Sequence, residues 1–449
     1  MKKHDVVELA NSVLVPEWKK ERARQLAFEK WAQGDHDSPF RPHEANLEYK
    51  ALQDKSRVPL LGLIVRIFGQ GLELIDYMPS DEALHDDLWH IWSANQMSAR
   101  QKRLWKAVFT GGVGYASVLP GDPVPQIKLH SAKNMVAVYQ DPEFDEWPMF
   151  AAESVSASSN SFHFRVYDDE KVYTLAMNAE GGDVEYITED VHGAEVTPIV
   201  RFAGEVDTEG TAEGEIERLI PIQSSVDQAK FDLLMTQTFN SFKIRYATGM
   251  AAPDSKAEQD RIKLLLAQDR ILLSENADSK FGTLDGTDLL GYIESGKASK
   301  QELATIAQVS PKAIVGAQAN TANGAEAQAA DEASTMRKLS DFETVFTPAI
   351  GQMFRLAGGL AGIDGAWADY SGRCSWRDSE IRSLAQIADA VAKLADDRLG
   401  IPREALWEML PGVTPEKVKA WKAYQGDAFS ELLEGIGRGQ IDADTRDEA

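Results

Sequence analysis

Residues 309–360 read VSPKAIVGAQANTANGAEAQAADEASTMRKLSDFETVFTPAIGQMFRLAGGL, an amide-rich segment that leads into the longest helical pattern of the chain. Asn323 and Glu326 have the spacing of a capping box, so a helix is predicted over 324–360. Pro348 is expected to kink it near the middle. Apolar residues recur three or four positions apart, which indicates one buried face. They are Met336, Leu339, Phe342, Phe346, Ile350 and Met353.

The segment before this helix carries the signals of a loop. Ser310 precedes Pro311, and a residue in that position is disfavoured in a helix. Gly316 and the cluster of small and amide residues at 317–323 are typical of irregular structure. The cluster contains no lysine or arginine. A polar loop is therefore predicted at 310–323, at the start of a long helix.

The composition is that of a globular, strongly acidic protein. The 449 residues are 43% hydrophobic and have a formal net charge of −24, and their number suggests about two to four domains. This charge disfavours general nucleic-acid binding but leaves open a protein through which DNA must slide, and composition alone does not choose between these. The single cysteine excludes an internal disulfide and favours a reducing compartment. No signal peptide or membrane span is predicted.

The remaining pattern predicts an α+β fold that is mainly helical. Helices are expected over about 6–33 and 84–108. Pro16 is expected to break the first helix or to lie in a first turn. Short alternating runs between 115 and 202 predict an antiparallel sheet, and these runs are QIKLHS, MVAVYQD, SFHFRVYD, KVYTLAM, VEYITED and TPIVRFAG.

A second long helical segment is expected over 220–248, with a capping box formed by Ser225 and Gln228. A charged excursion at 249–286, with one short helix and one strand, separates it from another helical pattern that leads to the loop. Three further helices are predicted between residues 376 and 424.

The glycines and histidines of the 85–114 region do not form a recognisable site. Gly111, Gly112 and Gly114 follow a helix and precede a strand, the reverse of a dinucleotide-binding loop, so they are interpreted as turn residues. His85 and His90 are five positions apart, which does not place two metal ligands on one helix face. No metal site is predicted.

Other candidate reactive groups are interpreted as structural. Asp168 and Asp169 are expected in a solvated turn, and His36 and His43 in a solvated loop. Cys374 has no neighbouring histidine, which favours packing over nucleophilic catalysis. No convergent set of Asp, Glu and His is found, so no catalytic residue and no cofactor is predicted.

Three segments in this order resemble a known family. They are LWHIWSANQMSARQKRLWKAVFTGGVGYASV, GEIERLIPIQSSVDQAKFDLL and FGTLDGTDLLGYIESGKASKQELATIAQVSPKAIVGAQANTANGAEAQAADEASTMRKLSDFETVF. The chain resembles, over nearly its whole length, the portal proteins of tailed bacteriophages, in particular the siphovirus type.

The resemblance implies a portal-type protomer with an α/β wing, a two-helix stem, a small α/β clip, a long helix under the wing and a helical crown. The implied divisions are a wing at 1–219, stem helices at 220–248 and 287–309, a clip at 249–286, a tunnel loop at 310–323, a long wing helix at 324–362 and a crown at 363–449.

The resemblance also implies the function. Such proteins form rings of twelve at one capsid vertex, through which double-stranded DNA is packaged and ejected. The implied partners are the terminase large subunit, the major capsid and scaffolding proteins, and head-completion or adaptor proteins. The expected location is the virion, with the host cytoplasm during assembly.

Specific residues follow from this mapping. The predicted channel lining comprises Lys297, Lys300, Gln318, Asn320, Thr321 and Asn323. The apolar face of the long helix, roughly 55 Å in length at about 1.5 Å per residue, exceeds what one small core requires. It is therefore interpreted as a contact between subunits.

Two other functions stay open at this point. Another phage head component, such as a minor capsid or adaptor protein, shares the same setting. An acidic hydrolase would use some of the 71 acidic residues as an acid/base pair or as metal ligands.

Overall fold

A computed structural model of the chain describes residues 1–37, 47–158, 161–178, 183–241, 245–248, 280–283, 288–316, 325–377 and parts of 391–424. The chain forms two compact units. Unit 1 comprises Met1–His36, Pro59–Ile220 and Leu303–Ala449, and unit 2 comprises Asp37–Val58 and Pro221–Glu302.

Helices and strands alternate in blocks along the chain, and single 3₁₀ turns lie at Glu82–Leu84, Glu217–Leu219 and Ala366–Ala368. The helices are α1 (Lys3–Leu9), α2 (Val15–Gln33), α3 (Leu47–Ser56), α4 (Leu60–Gly71), α5 (His85–Ala94), α6 (Met97–Gly111), α7 (Ile220–Ser241), α8 (Leu290–Ile306), α9 (Pro311–Val315) and α10 (Ala325–Leu360). The strands are β1 (Leu74–Met78), β2 (Val113–Leu119), β3 (Gln126–Ser131), β4 (Met135–Val138), β5 (Phe150–Ser158), β6 (Ser161–Tyr167), β7 (Lys171–Asn178), β8 (Glu185–Val191), β9 (Ile199–Ala203), β10 (Glu205–Val206), β11 (Ala212–Glu213), β12 (Arg245–Thr248), β13 (Lys280–Thr283) and β14 (Arg373–Trp376).

The predicted N-terminal helix is confirmed. A π-helical turn at Ala10–Leu14 joins α1 to α2, and Pro16 lies in the first turn of α2. Trp18 packs edge-on against Phe164 at 4.9 Å between ring centroids. The prediction of a solvated His36 is wrong, because His36 is buried and stacks on a tryptophan. His43 lies outside the described residues.

The predicted antiparallel sheet region is also confirmed, as two sheets in unit 1. One has the order β4-β5-β6-β7-β8 and the other the order β3-β2-β9. Strand β5 was not predicted, because its sequence FAAESVSAS alternates alanine and serine without bulky apolar side chains. One face of the five-stranded sheet packs on the N-terminal helices through Phe164, Tyr173 and Leu175.

A turn of the five-stranded sheet corrects another expectation. Asp168 is buried, although Asp169 is exposed as predicted. The Asp168 carboxylate accepts the backbone N–H groups of Glu170 and Lys171 and the hydroxyl of Tyr173. Burial acts to raise the pKa of Asp168, and these hydrogen bonds lower it overall. The group therefore fixes the turn.

Helix α10 agrees with its predicted bounds to within one residue and continues past Pro348. Its neighbours in the core of unit 1 include α5, β2, β9 and β14. Strand β14 pairs with β1, nearly 300 residues earlier in the chain, and neither strand was predicted. Cys374 lies on β14, and burial raises the pKa of its thiol to about 12, in agreement with a packing role.

Three glycines near the end of α6 were predicted to be turn residues, and the structure confirms this role at one of them. Gly112 ends the helix with φ +86°, a conformation that favours glycine. Gly111 is the last residue of α6, and Gly114 lies inside β2. A side chain on Gly114 would collide with Leu104, so this glycine permits α6 to lie close to the strand.

In unit 2, α7 begins at Ile220 as predicted but ends at Ser241, earlier than predicted. The helix starts at Ile220, so Ser225 lies inside it and donates to the carbonyl of Pro221 in place of capping. The residues predicted to complete the helix form β12, which pairs with β13 in register from Arg245↔Thr283 to Thr248↔Lys280. The two ends of the excursion are thus joined as a two-stranded ribbon. Its predicted helix and strand lie outside the described residues.

The prediction of three helices after α10 falls largely outside the described residues, and residues 391–394 are helical as expected. Within the described residues, no helix combines the length and apolar character needed to cross a membrane.

Candidate channel and subunit-contact surfaces

The base of the predicted tunnel loop is fixed to α10. The hydroxyl of Thr335 donates to the carbonyl of Gln308 at 3.1 Å and accepts the N–H of Ser310 at 3.2 Å. Lys312 forms an ion pair with Asp331. Ser310 is extended, as expected before proline, but Pro311 then starts the short helix α9 where a loop was predicted. Gln318, Asn320, Thr321 and Asn323 lie outside the described residues.

The two lysines predicted to line the channel lie on one face of α8. Lys297 is exposed and Lys300 is half-buried. At about 100° per residue, both project from the side of the helix opposite to Ser295 and Ser299. A cationic face is therefore separated from a face of small polar residues.

The small polar face borders a groove between α7 and α8. The groove has a volume of about 800 Å³, and its walls carry Ser225, Gln228 and Asp232 from α7 and Gly291, Ser295 and Ser299 from α8. Leu290 and Ile293 of α8 are 64% and 38% exposed, so this helix keeps apolar surface that its own unit does not cover.

The apolar face of α10 lies in a different environment. Leu339, Phe342, Phe346, Ile350 and Met353 are buried within unit 1, and Met336 is half-buried. Phe346 stacks on Trp105 at 5.0 Å, and Phe342 contacts Phe109 at 4.7 Å. The structure thus places these side chains in the core of the chain itself, in place of the subunit contact that their number suggested. The stripe is long because several elements of unit 1 pack along it.

An exposed aromatic surface was missed in the sequence. Tyr370 is 72% exposed, Trp367 is partly exposed, and Trp147 meets Trp367 edge-on at 6.3 Å. The Arg355 guanidinium lies 4.1 Å above the Tyr370 ring and forms an ion pair with Glu146. The sequence signal was the presence of tryptophans in segments with turn residues, which periodicity does not detect.

The backbone beneath these aromatic residues is fixed from both sides. The buried carboxylate of Asp369 accepts the Tyr77 hydroxyl at 2.7 Å and the Ser80 N–H at 2.9 Å. The side-chain amide of Gln352 donates to the carbonyl of Glu146 at 2.7 Å. Exposed aromatic groups held in this way lose little conformational entropy on binding, which is typical of an interaction surface.

A convergent polar cluster was also missed. Ser117 Oγ lies 2.8 Å from His130 Nε2, and His130 Nδ1 lies 3.7 Å from the carboxylate of Glu153. Tyr167 donates to Glu153 at 2.7 Å, and Lys128 forms an ion pair with it. The expectation that no Asp, Glu and His side chains converge is therefore wrong for His130 and Glu153. Glu153 was missed because it lies on β5, a strand that was not predicted.

The electrostatics of this cluster are those of a buried network. Burial lowers the pKa of His130 to about 4, so the ring is neutral at pH 7. Burial acts to raise the pKa of Glu153. The pKa is lowered overall by the charge of His130 when protonated and by the hydrogen bonds from the Lys128 ammonium and the Tyr167 hydroxyl. Ser117 is only 1% exposed, so the serine hydroxyl is not accessible to a substrate.

Metal ligands do not gather elsewhere in the described part of the chain, where no group of three His, Cys, Asp or Glu side chains could hold an ion. His85 instead contacts Asp76 at 2.8 Å and Asp86 at 3.0 Å. Burial acts to lower the pKa of His85, and these two carboxylates raise it overall.

Comparison with known sequences identifies the family. The sequence profile described as "Phage portal protein, SPP1 Gp6-like" matches residues 16–429. The chain belongs to this family of phage portal proteins. The portal protein matches no curated protein sequence. Its mixed helical and sheet structure accords with the predicted fold class.

Solved structures with a similar chain come from gene transfer agent particles. A chain of "Neck of native GTA particle computed with C12 symmetry" is 14% identical, with 87% of the portal protein and 99% of that chain covered and a TM-score of 0.48. A chain of "Virion of native gene transfer agent (GTA) particle" is 13% identical, with coverages of 85% and 99% and a TM-score of 0.47.

Proposed function

We propose that this portal protein forms a closed ring through which double-stranded DNA passes, and that α7 and α8 line the channel. The observation that carries the proposal is the division of α8 into two faces. One face holds Lys297 and Lys300, and the other borders a groove of small polar residues. Membership of the portal family supplies the context for this arrangement.

The groove face suits contact with an adjacent subunit. Small side chains such as Gly291 and Ser295 allow close approach of another helix. At about 100° per residue, the exposed Leu290 and Ile293 lie on the lysine side of α8, and their apolar surface is proposed as a separate contact between subunits. The aromatic surface of Trp147, Trp367 and Tyr370 is proposed as a second contact between subunits.

The lysine face suits brief contact with phosphate. Only two cations per subunit would meet DNA on this face, and the net charge of −24 opposes tight binding over the rest of the protein. Weak, reversible contact lets the DNA move. The amides and hydroxyls of Gln318, Asn320, Thr321 and Asn323 are proposed to act in the same way.

The proposal assigns no catalytic step to the chain. Energy for packaging would come from a terminase, and the capsid, scaffolding and head-completion proteins remain the proposed partners. The proposed location is the portal vertex of the virion, after assembly in the host cytoplasm.

Two measurements test the proposal. Negative-stain microscopy and native mass spectrometry of the purified protein should show rings with a central hole, and a monomer under all salt conditions would contradict the ring. The pair Lys297→Glu and Lys300→Glu should leave rings intact and reduce DNA packaging in particles.

The matched control reverses two exposed lysines on α2, Lys19→Glu and Lys20→Glu, which change the net charge equally. Equal packaging defects in both pairs would show that the effect arises from total charge, and the assignment of the lysine face to the channel would then fail.

A further inference from the structure

Strand β3 forms an open edge of the three-stranded sheet in unit 1. A groove of about 450 Å³ runs along this edge. Arg100, Arg103 and Leu104 of α6 form one wall, and Lys128 with Glu153 lies on the other. The register of β3 with β2 is regular from Gln126 to Ser131. The groove is therefore bordered by an undistorted strand.

The backbone of Leu129 faces this groove. Successive residues of a strand direct their N–H and C=O groups to opposite edges. The Val118 N–H donates to the Pro198 carbonyl beside β9, so the even-numbered residues of β2 direct their N–H and C=O groups towards β9. The odd-numbered residues of β2 therefore direct these groups towards β3, where their partners are even-numbered. Residues 127, 129 and 131 of β3 thus face away from β2.

Side chains and turns close the two ends of this free edge. The Ile127 N–H donates to the Asn95 side chain at 2.9 Å, and the Ser131 carbonyl accepts the Asn134 N–H at 2.9 Å. Between them, the N–H and C=O of Leu129 form no hydrogen bond with any described residue and can pair with an external partner. The free edge therefore fits a short extended segment of about three residues, at roughly 3.4 Å per residue.

The α6 wall of the groove is cationic. Arg100 and Arg103 lie one turn apart on α6, which contains no acidic residue. Arg100 donates to the Asn95 carbonyl, and neither arginine forms an ion pair with a described residue. Burial and the neighbouring charge of Arg103 lower the pKa of Arg100, so an anion placed here would relieve a repulsion.

The opposite wall carries a balanced charge. Glu153 is buried, and its carboxylate is already engaged by Lys128 and Tyr167. A ligand therefore meets the Lys128 ammonium, which is half-exposed, before it meets the carboxylate. This concentration of cations contrasts with the net charge of −24 for the whole chain.

Strand β8, at one edge of the five-stranded sheet, differs from β3. Strand β8 carries acidic side chains, and its pairing with β7 shifts register between Thr174 and Leu175. A bulge and like charges are features that protect a sheet edge from pairing. Strand β3 has neither, so its edge is suited to pairing.

We propose that β3 binds an extended acidic segment of a partner protein by strand addition. The segment would hydrogen-bond to the backbone of Leu129, and its alternate side chains would meet Arg100 and Arg103 on one side and Lys128 on the other. Duplex DNA cannot supply paired N–H and C=O groups.

The test measures binding of a fluorescein-labelled acidic peptide, with alternating glutamate and valine, to the assembled full-length protein by fluorescence anisotropy. The variant with Arg100→Gln and Arg103→Gln should weaken binding about tenfold or more. The matched control is Lys102→Gln, an exposed lysine of α6 outside the groove, which should change affinity less than about twofold. The single variant Arg103→Gln, at an exposed site, guards against misfolding of the double variant.

A second peptide separates strand addition from simple charge attraction. Methylation of the central backbone nitrogen removes a donor without changing charge, and it should weaken binding about tenfold. Equal affinity of the methylated peptide, or of a peptide with glutamine in place of glutamate, would overturn the proposal.

Two further results would assign the groove to another ligand and overturn the proposal. One is displacement of the peptide by duplex DNA that depends on Arg100 and Arg103. The other is a loss of oligomers in the Arg103→Gln variant with an unchanged melting temperature, which would identify a contact between copies. Neither result depends on whether the oligomer is a closed ring.

Discussion

Helices α10 and α8 carry similar apolar patterns but have different surroundings. Phe342, Phe346 and Ile350 of α10 are buried among aromatic side chains of their own unit. Leu290 and Ile293 of α8 remain 64% and 38% exposed. A helix that its own chain covers stabilises the fold, whereas one left partly uncovered is available for assembly.

The difference arises from the neighbours of each helix. Trp105 on α6 and Phe68 on α4 present large rings to α10, and these rings exclude water from its apolar face. The lining of the groove beside α8 is small or polar apart from Tyr292, and Leu290 and Ile293 lie on the side of α8 away from this groove. Hydrophobic periodicity alone does not distinguish these two cases.

The largest expected effect is in the α10 core. Phe346→Ala removes a ring that is fully buried against Trp105, and it should lower the free energy of unfolding by about 3–5 kcal/mol. Urea denaturation followed by circular dichroism measures this change. Val345→Ala on the exposed side of α10 is the control and should cost less than about 1 kcal/mol. Equal costs would mean that α10 is not buried as described.

Acid should destabilise the same unit through His130. The folded-state pKa of about 4 lies below the ordinary value of 6.5, so between these values the unfolded chain binds a proton that the folded chain does not. Stability should fall by roughly 3 kcal/mol as pH decreases from 6.5 to 4 and then level off for this group. His130→Gln should flatten this part of the stability curve, and an unchanged slope would contradict the buried neutral state.

A smaller effect is expected where α10 holds the loop base. Thr335→Val leaves the buried Ser310 N–H without its acceptor and should cost about 1–3 kcal/mol in the free energy of unfolding. Thr344→Val is the matched control, because Thr344 is exposed on the same helix. Hydrogen exchange at Ser310 should increase only in the first variant. Equal hydrogen exchange at Ser310 in both variants would contradict the anchoring of the loop base by Thr335.

The smallest effect on subunit stability is expected on α8. Leu290→Ser with Ile293→Ser should change the melting temperature little, since both side chains are already exposed. The same pair should shift native mass spectra towards smaller oligomers. Val13→Ser with Leu26→Ser, exposed on the N-terminal helices, is the control. If the α8 pair still forms wild-type oligomers, the exposed apolar surface of α8 takes no part in assembly.

Many of the helices and strands could be predicted from local sequence patterns. The bounds of α10 followed from a capping box and a period of three to four, and β3, β6 and β7 followed from alternation. Strand β5 was missed because alanine and serine carry no strong alternating signal. Strands β1 and β14 were missed because their pairing depends on residues far apart in the chain.

The candidate surfaces were harder to predict from the sequence than the secondary structure. The lysine face of α8 could be predicted because both lysines lie on one helix. The Ser117, His130 and Glu153 cluster joins three strands, and the aromatic surface joins two distant segments. No local pattern brings such residues together.

The sequence by itself determined the family, the long helix and the acidic character, because each depends on residue order or composition. Only the tertiary structure decided which apolar face is buried within the chain and which acidic groups are engaged. Burial depends on what packs opposite a residue, and the sequence pattern around that residue does not contain its distant neighbours.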